Sequence, residues 1–202
     1  MIDRFNIFIA GVGGQGVIFA SNVIANAAIK AGLKARIGQT FTAAQRGGSV
    51  SAHVRIGEKV HAPLMGRGDA DVLLGFEPIE AVRYEEYLKK NGIVVINTHS
   101  ILPRSSLLGQ QPYPRLNEIE EYLRKRTNQI IKVNATEIAH SIGLPIAMNL
   151  VMLGVLSSIK GFPIHHTKFI ESINELLSKK YLDLSIKAFN AGRDFGIKVI
   201  KS

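Results

Sequence analysis

Two short glycine-rich stretches carry the residue types that could do chemistry. The first is Ala10-Gly11-Val12-Gly13-Gly14-Gln15-Gly16, and the second is Ala44-Gln45-Arg46-Gly47-Gly48-Ser49-Val50. In the first, Gly11, Gly13 and Gly16 follow the G-x-G-x-x-G spacing of a dinucleotide-binding turn. Such a turn lets backbone N–H groups approach a ligand or another chain closely. A helix starting there adds unpaired donors and a positive dipole end, which suits a phosphate or pyrophosphate. In the second stretch, Gly47 and Gly48 permit close backbone approach, and Arg46 brings a rigid donor fork for carboxylate or phosphate. Gln45 and Ser49 add neutral hydrogen-bonding groups.

The dinucleotide reading has a test within the sequence. A nicotinamide site sets an acidic residue about 20 residues beyond the glycine turn, at the end of the second strand. No Asp or Glu occurs between Asp3 and Glu58. Lys34 and Arg36 would suit a 2′-phosphate, so an NADP-binding oxidoreductase is the runner-up reading, although Arg36 sits early in its strand.

Other polar residues have structural explanations. His165 and His166 are adjacent, so on a helix they point in different directions and do not form a metal pair. His53 lies near the second glycine stretch, on the strand face opposite Val54, and is a lesser site candidate. Glu77 and Glu80 suit the start of a helix. Asn149, inside an apolar segment, is expected to hydrogen-bond a neighbouring loop, because a buried amide needs partners. No nucleophile, base and orienting group fall together, so no catalytic residue is assigned.

These groups must be held by regular elements. Phe5–Ala10 is a nearly unbroken apolar run, expected for a strand buried on both faces. A helix follows from about Gly16 to Ala31 and stops at Gly32. Strands are expected over Lys34–Phe41, Ser49–Ile56 (by its alternation), Asp71–Phe76, Gly92–Asn97 and Gln129–Val133, with a short return strand after the Gly57-Glu58-Lys59 turn. Helices are expected from Pro78 to about Lys90, over Glu118–Arg126 and Ala135–Ser141, and as three further segments after Pro145. The stretch from Thr98 to Asn117, with prolines at 103, 112 and 114, reads as a long surface connection. The alternation of strands and helices predicts a three-layer Rossmann-like α/β domain with a largely parallel sheet, mixed by one antiparallel hairpin, and a helical C-terminal part. Both glycine stretches would then lie at the carboxyl edge of the sheet, where ligand sites of such folds form.

The bulk composition bounds the function further. With 202 residues, 46% of them hydrophobic, the chain can bury a sizeable core. It has no cysteine, so it supplies no disulfide and no thiolate for zinc or an iron–sulfur cluster. The net charge of +9 is spread along the chain. The runs Arg124-Lys125-Arg126 and Lys179-Lys180 read as solvated helix faces, and nucleic-acid binding is not expected. The most apolar stretch, residues 142–159, is interrupted by Pro145 and Asn149 and falls short of the roughly 20 residues of a membrane span. With no leader signature at the N-terminus, a soluble cytoplasmic protein is expected.

Taken together, GVGGQGV, AQRGGSVSAHVRIG, DVLLGFEPIEAVRY and the later Gly143-x-Pro145-x-x-x-Asn149 resemble the gamma domain of the 2-oxoacid:ferredoxin oxidoreductases. Within that family the chain is most similar to the small (beta) subunits that serve arylpyruvates such as indolepyruvate. The resemblance spans nearly the whole chain and implies a single gamma-type domain over residues 1–202, with a helical segment from about 145 to 202. It implies an oxidoreductase complex that decarboxylates a 2-oxoacid on thiamine diphosphate, passes electrons through iron–sulfur clusters to ferredoxin, and releases an acyl-CoA. A large partner subunit would hold the thiamine diphosphate and the clusters. Gly68-Asp69-Ala70 is the nearest approach here to a thiamine Gly-Asp-Gly motif. The small subunit would hold no metal, complete the assembly, contribute to the coenzyme A or active-site pocket, and be inactive alone. Carried over residue by residue, Gly11, Gly13, Gly14, Gln15 and Gly16 match the family's first loop, and Gln45, Arg46, Gly47 and Gly48 match its second. An isolated copy would be prone to self-associate through the surface meant for the partner.

Overall fold

The computed structural model describes residues 2–41, 48–103, 106 and 108–201. Its frame is a six-stranded sheet of β1 (Phe5–Val12), β2 (Ala35–Phe41), β3 (Ser49–Ile56), β4 (Ala70–Gly75), β5 (Leu88–Asn97) and β6 (Ile130–Val133). The strand order is β2-β3-β1-β4-β5-β6. Only β3 runs against its neighbours; β1, β4, β5 and β6 pair in parallel. The sheet is therefore mixed, as the sequence predicts.

Seven helices are placed among the described residues: α1 (Val17–Lys30), α2 (Pro78–Arg83), α3 (Leu116–Arg124), α4 (Ala135–Ser141), α5 (Met148–Ser157), α6 (His166–Leu176) and α7 (Lys179–Lys201). The two-residue period of β1 sends Ile7 and Ile9 into one core, with side chains from α1, α4, α5, α6 and α7. Phe8 and Ala10 point into the other, with Ala81 of α2, Ile119 and Leu123 of α3, and the rings of Tyr84 and Tyr87. Burial on both faces explains the continuous apolar sequence of this strand.

The C-terminal helices pack through glycine. A Cβ placed on Gly192 of α7 would lie 2.0 Å from the Val151 carbonyl oxygen of α5, and one on Gly154 would lie 2.0 Å from that of Phe189. The backbones of α5 and α7 thus touch directly. In this way α5, buried from Met148 to Leu156, is sealed between the sheet and α7.

Three expectations need correction. No return strand follows Gly57. The guanidinium of Arg55 turns inward and donates to the carbonyls of Ala62 (3.0 Å) and Leu64 (2.9 Å), so a side chain satisfies that segment's backbone instead of a ladder. The helix expected to reach Lys90 stops at Arg83. A single 3₁₀ turn (Glu85–Tyr87) follows, since Tyr84 and Tyr87 bring their rings onto Phe8, with centroids 5.1 and 4.4 Å away, and Leu88 already pairs with Ala70 as β5 begins.

His53, third, is no site candidate but is held in the core as a hydrogen-bonded structural residue. It lies mid-strand opposite Phe8, buried at 5% exposure, and its Nδ1 accepts the Met65 N–H at 3.2 Å. Burial, reinforced by the charge of Arg55, pushes its pKa below the ordinary value of 6.5. The unfolded chain therefore binds the proton more readily, and the stabilising contribution, complete above pH 6.5, declines as pH falls toward the depressed folded value. His53→Asn, which keeps an acceptor for Met65, should lose less melting temperature than the native chain between pH 7 and pH 5 in paired thermal scans. Among the described residues no helix is long and apolar enough to cross a membrane.

Candidate functional site

At the carboxyl edge of the sheet the two glycine stretches meet. The register that sets Val12 against Ser49 brings Gly13 beside Gly48, and the Gly13 N–H donates to the Gly48 carbonyl at 2.8 Å. Gln45, Arg46 and Gly47 lie outside the described residues.

The first loop is fixed from beneath by Gln15, whose side chain turns into the protein. Its Oε1 accepts the Val12 N–H and its Nε2 donates to the Phe76 carbonyl, both at 2.9 Å. The amide thereby bridges the loop after β1 to the end of β4, across the point where strand order reverses and α/β folds bind ligands. Gly11 leaves room for this arrangement, because a Cβ there would lie 2.8 Å from Gln15 Oε1 and 2.9 Å from Val17. Gly16, with φ of 78°, turns the chain into α1 beneath Asn149. A Cβ on Gly16 would meet Asn149 Nδ2 at 2.1 Å. That amide donates a long 3.4 Å hydrogen bond to the Gln15 carbonyl, the loop contact expected of it. Gln15→Ala strands the buried Val12 N–H and should cost about 1–3 kcal/mol, read as an earlier urea midpoint with an unchanged slope.

Sequence reasoning expected Glu77 and Glu80 at a helix start, and did not find the rest of this network. Asn97, at the end of β5, donates to the Phe76 carbonyl and to Thr136 Oγ1 (3.1 Å each) and accepts the Ala135 N–H at 3.1 Å. Glu77 caps α2, accepting from Ile79 N–H (2.7 Å) and Glu80 N–H (3.1 Å). Its other oxygen accepts from the Ile101 N–H (3.2 Å) and the Tyr113 hydroxyl (2.5 Å), tying the long connection to the same edge. Burial, and then the Glu77 acceptor, raise the Tyr113 pKa well above its usual value. Glu80 accepts from Ser49 Oγ at 2.5 Å, and Tyr84 OH lies 3.0 Å from the same hydroxyl. The available signal was a lone polar residue closing an apolar strand, as in Gly-Ile-Val-Val-Ile-Asn.

The geometry weighs against a dinucleotide. In a dinucleotide-binding fold the second strand lies next to the first. Here β3 intervenes, which sets the end of β2 two strand spacings, roughly 10 Å, from β1. His165 and His166 sit at the start of α6 with rings tilted by 47°, and the described residues contain no group of three side chains able to hold a metal.

Comparison with known proteins agrees with this geometry. Residues 6–195 match the family model described as pyruvate ferredoxin/flavodoxin oxidoreductase. The chain is 46% identical over 189 residues to the indolepyruvate oxidoreductase subunit IorB of Archaeoglobus fulgidus, covering 94% of each chain. It is 30% identical to the pyruvate/ketoisovalerate oxidoreductases common subunit gamma of Thermococcus kodakarensis, over 85% of this chain and 83% of that one. The crystal structure of pyruvate oxidoreductase subunit PORC from Thermotoga maritima superposes with a TM-score of 0.71 at 25% identity, covering 96% of this chain and 97% of that one. The meeting of the two loops, the mixed sheet order and these likenesses together place the chain in the pyruvate ferredoxin/flavodoxin oxidoreductase family, as a small, gamma-type subunit of an oxidoreductase complex.

Proposed function

We propose that this chain is the small subunit of a ferredoxin-dependent arylpyruvate oxidoreductase, acting on indolepyruvate and related acids. The net reaction converts a 2-oxoacid and coenzyme A to an acyl-CoA and carbon dioxide, delivering two electrons to ferredoxin. The arylpyruvate assignment rests on the higher identity to the indolepyruvate subunit, 46% against 30% for the pyruvate/ketoisovalerate one.

The single observation that carries the reading is the Gly13–Gly48 contact, a ridge where the first family loop meets the last glycine of the second. That ridge faces the large subunit and its bound cofactor or the coenzyme A. Gly13, Gly14, Gly47 and Gly48 supply close backbone approach, Gly11 and Gly16 make room within the chain for Gln15 and Asn149, Gln45 supplies neutral hydrogen bonding, and Arg46 is the anion contact. Gln15 contributes by holding the ridge rigid, since both ends of its amide are used within the chain. Thiamine diphosphate and the clusters belong to the large subunit. The donor set here fits that division, because the chain has no cysteine to ligate iron. The role of the chain is to orient and enclose, and residues 1–202 form one domain for that purpose in the cytoplasm. Titrating the purified chain with NADPH tests this against the runner-up: no saturable binding is expected, and tight stoichiometric binding would restore the dinucleotide reading.

A further inference from the structure

Beyond the glycine loop, the start of α1 opens onto a cleft of about 560 Å³, within the range of small-molecule sites. Its walls are apolar, formed by Phe19 of α1, Leu144, Ile146 and Leu150 around the start of α5, and Leu177 and Tyr181 at the α6–α7 junction. Three polar features converge on it.

Gly14 and Gly16 line the cleft where α1 begins, and that helix has no side-chain cap and no acidic residue in its first turn. Its leading N–H groups are therefore open to a carboxylate or carbonyl. Ser185 of α7 also lines the cleft at 2% exposure, and its hydroxyl has no hydrogen-bond partner among the described residues. Ser157 and Ser158, by contrast, donate to carbonyls of their own helix. Asn149, the third, uses its Nδ2 on the Gln15 carbonyl.

That hydroxyl is not sealed in the core: among the described residues Asn26 Oδ1 is the buried side-chain polar atom left without a partner, and Ser185 Oγ is open to the cleft, where it can accept from or donate to a ligand. Among the described residues no lysine or arginine lines the cleft. The chemistry that fits is an apolar, flat body with one carbonyl or carboxylate end and one ring donor.

Resting on the arylpyruvate reading, we propose that this cleft is a subsite for the aryl group of the 2-oxoacid or of its arylacetyl product. The ring lies among Phe19, Leu150 and Tyr181, its N–H donates to Ser185, and its acid end faces the start of α1. The small subunit would then help set the aryl preference of the complex.

The chain contains no tryptophan, so the emission of an indole ligand is unobscured. Indole-3-acetate titrated into the full chain should give a saturable spectral shift, displaced by phenylpyruvate or phenylacetate and not by isovalerate. The stronger competitor of the first two identifies the 2-oxoacid or the product as the source. Ser185→Ala should weaken indole-3-acetate roughly three- to tenfold while leaving phenylacetate, which has no ring N–H, unaffected. Ile146→Glu, at a position 75% exposed on the rim, should weaken both without unfolding the chain. In the assembled enzyme, Ser185→Ala should raise the KM for indolepyruvate relative to phenylpyruvate. Absence of a saturable shift, equal displacement by isovalerate, or native affinity in Ile146→Glu overturns the subsite. If the chain assembles with its large subunit and binds no aryl acid, this inference fails alone. If it binds the probe and recruits no such subunit, the function proposed above fails and the cleft stands.

Discussion

Arg46→Ala lowers kcat/KM of the assembled oxidoreductase by roughly 10- to 100-fold, the loss expected when a charge-assisted contact to an anion is removed. The expectation follows from position. Arg46 precedes Gly48 by two residues, and Gly48 is bonded to the first glycine loop at the carboxyl edge of the sheet. The small subunit carrying the change should keep its thermal midpoint and still join the complex. Arg46→Lys should recover only part of the activity, because an ammonium keeps the charge and lacks the planar donor fork. Steady-state rates with coenzyme A varied measure the effect, and normal turnover in Arg46→Ala would remove this residue from the site.

The largest stability effect is expected at the α5–α7 contact. In an exposed helix, Gly192→Ala would stabilise by about 1 kcal/mol through helix propensity. Here the added Cβ would lie 2.0 Å from the Val151 carbonyl oxygen and 2.9 Å from its Cα, so backbone must move apart. Overpacking of this kind costs about 1–3 kcal/mol, and rigid backbone on both sides puts this site at the upper end. For a chain of this size that corresponds to a fall in Tm of roughly 5–10 °C. Gly161→Ala makes a useful comparison, since a Cβ there meets nothing within 4 Å and only its φ of 80° is strained. Differential scanning calorimetry of the two variants separates the effects. A Gly192→Ala melt at or above the native one would mean that the helices are not in backbone contact.

Much of this architecture is legible in the sequence where a simple period governs it. Ser49–Ile56 alternates because one face of β3 meets the α1 side of the core, and the strand occupies those residues. The helix over Ala135–Ser141 starts directly after Asn134, which caps it through the Glu137 N–H. The adjacency of the glycine stretches is legible too, since both follow strands that end on one edge. Long-range side-chain choices were not legible. A glutamine in a glycine loop reads the same whether it faces a ligand or its own core, and what turns Gln15 inward is a carbonyl 61 residues away, on Phe76. The Ser49–Glu80 link spans 31 residues, and the segment after Gly57 was misread because no local pattern announces that Arg55 will satisfy its carbonyls from inside.

Affinity capture of this chain from its native cell extract, with mass spectrometry and an iron assay on the eluate, tests the central claim most directly. Recovery of a large, iron-containing, thiamine-dependent subunit in fixed ratio is the predicted result. A chain that emerges alone and free of iron, yet binds NADPH saturably, would contradict it and return the glycine loop to a dinucleotide.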